Sequence, residues 1–93
     1  MNGPILEHDA QRLATAWSDM WEREWDLNDL CLQLTQTRDE TWIRALGEVL
    51  KTSHRNIYRR AALAEAYPPT ERALDQSPRT HAKWLRERAS TGV

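Results

Sequence analysis

Phenylalanine is absent from these 93 residues, glycine occurs three times and cysteine once. A single thiol, Cys31, excludes an intramolecular disulfide and points to a reducing compartment. No apolar run approaches the ~20 residues that a bilayer span needs. Glu7, His8 and Asp9 stand where a secretory leader would carry its apolar segment. The expectation is a cytoplasmic protein with no membrane contact. β-Branched runs and strand-like alternation are also missing, while Ala, Leu, Glu and Arg dominate, a composition that favours helices. A chain this short is one small domain that buries roughly 60–65% of its unfolded surface, with no room for a large cleft between two lobes.

Catalytic patterns are equally scarce. His8, His54 and His81 are far apart and share no ligand spacing with Cys31, so no metal site is expected. No base stands at motif spacing to Cys31, which fits a small buried apolar residue better than a nucleophile. There is no glycine-rich phosphate loop, nucleophile elbow or paired-carboxylate arrangement; Glu22 with Glu24 and Asp39 with Glu40 read as helix-surface and cap charges. The sequence predicts no enzyme, no catalytic residue and no cofactor.

What is present is a division of charge. Residues 1–40 hold nine acids and three bases, a net of −6; residues 41–93 hold five acids and ten bases, a net of +5; together they give the formal −1. A basic half suits a polyanion and an acidic half suits another task, although solvated helix faces of two signs give the same count.

The spacing predicts a first helix over about 5–25. Leu6, Ala10, Leu13, Trp17 and Met20 form an apolar stripe that Trp21 and Trp25 widen. These tryptophans are either core or, through Leu13, Trp17, Met20 and Trp21, a dimer or partner seam. Asp26 can cap a second helix carrying Leu27, Leu30, Cys31 and Leu34 on one face. Residues 33–38 read as a loop, and Thr37 with Glu40 as a capping box. The helix so opened carries Trp42, Ile43, Leu46, Val49 and Leu50. Ser53 caps the next, which Pro68 and Pro69 end. Thr70 can cap a single turn over 71–74. Ser77 before Pro78 starts a last helix with His81, Trp84 as core, and Arg79, Lys83, Arg86 and Arg88 as either phosphate ligands or wet surface. Residues 89–93 are expected to fray.

Residues 42–67, W-I-R-A-L-G-E-V-L-K-T-S-H-R-N-I-Y-R-R-A-A-L-A-E-A-Y, resemble the bacterial and phage helix-turn-helix. Two short helices crossing steeply need a small residue at their contact, here Gly47. They also need apolar residues beneath the first helix, here Leu46 and Leu50, and an apolar anchor four residues past the second cap, here Ile57. The chain departs from that pattern at Lys51, where glycine is common, at Thr52, where an apolar residue is common, and at Arg60, commonly apolar or aromatic. The Arg60 stem would cover the core edge while its guanidinium leaves for a phosphate. More loosely, 25–84 is similar to small DNA-binding regulators of actinobacteria, phages and plasmids.

The resemblance implies an all-α bundle of four to five helices around a central helix-turn-helix, with a tryptophan-rich acidic segment at 1–25, a DNA-binding domain at 26–90 and a tail at 91–93. On the residues themselves, His54, Arg55, Tyr58 and Arg59 lie opposite Ile57. Arg55 or Arg59 suits guanine and Asn56 suits adenine. Lys51, Arg44 and Arg60 suit phosphates, as do the amides of a helix opened by Ser53. The expected function is sequence-specific binding of double-stranded DNA by a small transcriptional regulator. A homodimer would set two such helices about one DNA turn apart. The rivals are a protein-binding module whose tryptophan and acidic face meets RNA polymerase, a nuclease or another protein, and a DNA-binding accessory factor in excision, replication or packaging.

Overall fold

A computed structural model describes residues 7–91. Four α-helices and one 3-10 turn make up the fold, with no strand among the described residues: α1 (Glu7–Thr37), α2 (Glu40–Leu50), α3 (His54–Ala66), the 3-10 turn (Pro69–Glu71) and α4 (Pro78–Thr91). The all-α expectation is met. Leu6 and the last two residues of the expected tail lie outside the described residues.

The expected break at Asp26 does not occur. Helix α1 runs unbroken for 31 residues, through the expected boundary at 25 and through the expected loop at 33–38. No glycine or proline interrupts 7–37, and an aspartate inside a helix costs only about 0.7 kcal/mol. The helix is held on both sides of that point, because Trp25 and Asn28 are buried. Its polar end stays helical with local support: Thr35 donates to the Leu32 carbonyl at 3.0 Å and Thr37 to that of Gln33 at 2.8 Å. Thr37 therefore caps nothing. Asp39 is the N-cap of α2, and its carboxylate accepts from the Trp42 amide at 2.8 Å.

Helix α3 packs chiefly along α1, and α2 closes one end. The core falls into two parts. Cys31, Ile43, Ile57 and Ala61 form one, flanked by Leu32, Leu34 and Leu46. Trp25, Leu63 and Tyr67 form the other, flanked by Ala66, Ala82 and Leu85. Leu50 does not pin α2, being 58% exposed; Ile43, wholly buried, does so with Leu46. Leu27 and Leu30 are likewise exposed, so the expected face from 27 to 34 divides and only Cys31 and Leu34 reach the core. The tryptophans divide too: Trp25 is buried, Trp21 half-buried and Trp17 exposed.

After α3 the chain turns at Tyr67, as the two prolines require. The following turn is Pro69–Glu71, capped by no side chain, and not a turn over 71–74 opened by Thr70. The Ser77 hydroxyl caps α4, accepting from the Thr80 amide at 3.1 Å. That helix continues through 89 and 90, which were expected to fray. His81 is its anchor. The ring is fully buried, takes the Ala73 amide on Nε2 at 3.0 Å and lies 2.7 Å from the Ser77 carbonyl through Nδ1. Trp25 and Tyr67 meet it edge-on with centroids at 5.0 Å. Trp84 packs on its outer side at 4.8 Å but remains 37% exposed, so it is a lid on this cluster and not a core residue.

Candidate nucleic-acid interface

The joint between α2 and α3 is the turn Lys51–Thr52–Ser53. Lys51 takes the left-handed conformation, φ 57° and ψ 42°, and is the only non-glycine residue with positive φ among the described residues. Its amide closes α2 on the carbonyls of Gly47 and Glu48. Gly47 is required by the close crossing: a Cβ there would stand 2.9 Å from the Thr52 carbonyl oxygen and 3.3 Å from the His54 amide nitrogen. Ser53 caps α3, its hydroxyl accepting from the Arg55 amide at 3.1 Å. Ile57 is 4% exposed in the core shared with α1 and α2.

Burial of Ile57 fixes the opposite face of α3. Arg55, Asn56, Tyr58 and Arg59 are exposed and His54 is half-buried. His54 and Tyr58, one turn apart, meet edge to face at 6.4 Å, which stiffens the middle of this face. Asn56 donates to the Thr52 hydroxyl at 3.0 Å and keeps its carbonyl and second N–H available. Arg55 and Arg59 form no ion pair among the described residues. The only acid of α3, Glu65, lies near the other end of the helix. The first two turns therefore combine unpaired guanidinium groups with the positive end of a helix dipole.

Arg60 departs from expectation. Its guanidinium does not leave for solvent but donates to Oδ1 of the buried Asn28 at 2.9 Å and lies 3.9 Å from Glu24. One residue on from Arg59, it is turned toward α1, where a polar partner waits. Asn28 Nδ2 has no partner. Arg44 also looks inward along its own helix, paired with Glu40 at 3.1 Å on an exposed face.

Beside the α3 face a groove of about 720 Å³ opens between α1, α3 and α4. Arg59, Arg79 and Arg86 stand along it, joined by Arg60, and Glu24 is its one acid. Leu63, Ala82 and Leu85 give it an apolar floor. The other two bases of α4 are engaged: Arg88 donates to the Tyr67 hydroxyl at 3.0 Å, and Lys83 lies 3.9 Å from Glu87. Sequence spacing suggested four equivalent bases on α4; the structure separates two that continue the α3 face from two that do not.

Burial desolvates the Cys31 thiol and raises its pKa above the ordinary 9.0, against a smaller opposing pull from Arg60. The thiol is therefore protonated and inert at neutral pH. Among the described residues no helix is long and apolar enough to cross a membrane. The chain matches no known protein family, no curated protein and no solved structure.

Proposed function

We propose that the chain binds double-stranded DNA in a sequence-specific manner, as a small transcriptional regulator of the helix-turn-helix kind. Helix α3 is the recognition helix, with Arg55 and Arg59 on guanine edges and Asn56 on adenine. Lys51 and the capped end of α3 hold a phosphate. The groove beside it, through Arg79 and Arg86, carries the next phosphates of the same strand. One observation supports this most: Ile57 is buried while the unpaired Arg55 and Arg59 stand on the opposite face of the same two turns. The acidic α1 lies on the side a duplex would repel. Two copies would present two recognition helices.

Selection from a random duplex pool, followed by fluorescence anisotropy across a salt series, tests the proposal. A bound consensus and a steep fall of affinity with salt are expected. Arg55→Ala and Arg59→Ala should each relax preference at one base position and weaken binding about 10–100-fold. Undiminished binding by both variants would remove α3 from the interface. The exposed Leu13, Trp17 and Met20 favour one other reading, a protein-binding module. Absence of duplex affinity at low salt would leave that reading standing.

A further inference from the structure

We propose that the free part of α1 pairs with the same segment of a second copy, antiparallel, with Asp9 of each chain facing Arg23 of the other. The proposal builds on the two-copy arrangement above and fixes its seam. Residues 8–20 of α1 are exposed without exception, and burial begins only with Trp21 and Trp25. The helix thus leaves the body as an arm. Its exposed apolar residues are not scattered: Ala10, Leu13, Trp17 and Met20 alternate at three and four residues, the period of a two-helix seam.

The body decides the direction. The row through Leu13, Trp17 and Met20 continues by helical spacing through Glu24 to Asn28 and Cys31, and these last two are buried against α3. The arm's apolar stripe therefore faces the side of α1 on which its own α3 lies. Two arms packed in parallel would bring both bodies to the same end on the inner side, where each α3 would meet the other. Packed antiparallel, each arm ends where the other body begins, and the bodies sit at opposite ends of a shared rod.

Charge selects the same arrangement. In the antiparallel register Leu13 faces the partner's Trp17 and Ala10 faces the partner's Met20, so small and large side chains interdigitate. The residues flanking that seam on one edge are Asp9, Ala16 and Arg23. Antiparallel pairing sets the two Ala16 residues across from each other and puts Asp9 opposite the partner's Arg23 at both ends. Neither residue forms an ion pair within its own chain among the described residues. Parallel pairing would set Asp9 against Ala14 and gain nothing.

The test is a charge exchange read by sedimentation equilibrium on the full chain, with circular dichroism to confirm that helix content is kept. Asp9→Lys alone and Arg23→Glu alone each create two like-charge contacts. Each should raise the dimer dissociation constant on the order of tenfold. An equimolar mixture of the two variants restores both pairs and should dimerise as the original chain does. Arg12→Glu, off the seam, should change nothing, and Trp17→Ala should weaken the dimer in every background. An original chain that stays monomeric at the highest attainable concentration overturns the proposal, as does a dimer indifferent to the exchange. A chain that obeys the exchange but ignores duplex DNA overturns the DNA reading alone.

Discussion

Arg72 grips Asp29 with both terminal guanidinium nitrogens, at 2.6 and 3.2 Å, and so ties the segment after α3 to the middle of α1. Its Nε donates to the Tyr67 carbonyl at 2.8 Å, and its plane lies over the Trp25 ring at 4.1 Å. A planar fork is needed to serve two carboxylate oxygens, a carbonyl and a ring face together. Arg72→Lys should therefore lose about 2 kcal/mol in urea unfolding, and Arg72→Ala somewhat more. Equal stability of the lysine variant and the original would contradict this account.

Gly47→Ala places a methyl carbon 2.9 Å from a backbone oxygen that cannot move without shifting the turn. The expected loss is about 1–3 kcal/mol. Because the turn orients α3, duplex affinity should fall as well, and a drop in both measurements is the expected signature.

Lys51→Gly separates stability from binding. Relief of the left-handed backbone should stabilise the fold by up to about 1 kcal/mol in thermal unfolding. Loss of the ammonium should lower the salt slope of DNA binding by about one, uniformly across sequences. A gain in stability with an unchanged salt slope would remove Lys51 from the phosphate footprint.

His81→Phe keeps a ring among Trp25, Tyr67 and Trp84 but leaves the Ala73 amide with no acceptor from position 81. The expected cost is about 1–3 kcal/mol, read by denaturant unfolding. A silent substitution would show that the ring contacts alone hold α4.

Cys31 should resist alkylation in the native protein at neutral pH and react at the rate of a free thiol in denaturant. Since folding raises its pKa, the native state favours the protonated thiol. Its contribution to stability is full below the ordinary value and is lost as pH rises through the raised one. Stability should accordingly decline above about pH 9, and Cys31→Ala should flatten that decline.

The helices of this fold were legible because their determinants are local. Ser53 and Ser77 cap, Pro68 stops, Gly47 admits a close crossing and Ile57 recurs at the anchoring position; each acts within a few residues of itself. The misreadings concern residues whose partners are distant in sequence. Asp26 and Asp29 look alike as caps, but the continuity of α1 follows from Trp25 and Asn28 being held by α3, some 30 residues on. Arg60 looks like a phosphate ligand until Asn28 is placed opposite it. Arg72 and His81 gave no periodic signal, since each acts through an irregular segment. The basic face of α3 followed from helical spacing once Ile57 was taken as its back. The groove through Arg79 and Arg86 depended on where α4 lands.

The unbroken course of α1 has a consequence for gene-level change. A continuous α-helix advances about 100° per residue, so its two ends are locked in angular phase. Inserting one residue between Trp21 and Glu24 would rotate the protruding end by that angle without disturbing the packed end. Two joined copies would then offer their arginine-bearing helices to different sides of a duplex. Inserting seven would nearly restore the phase and lengthen the span between them by about 10 Å for each arm. The reach of the assembly is thus set as a ruler sets it, in whole helical repeats.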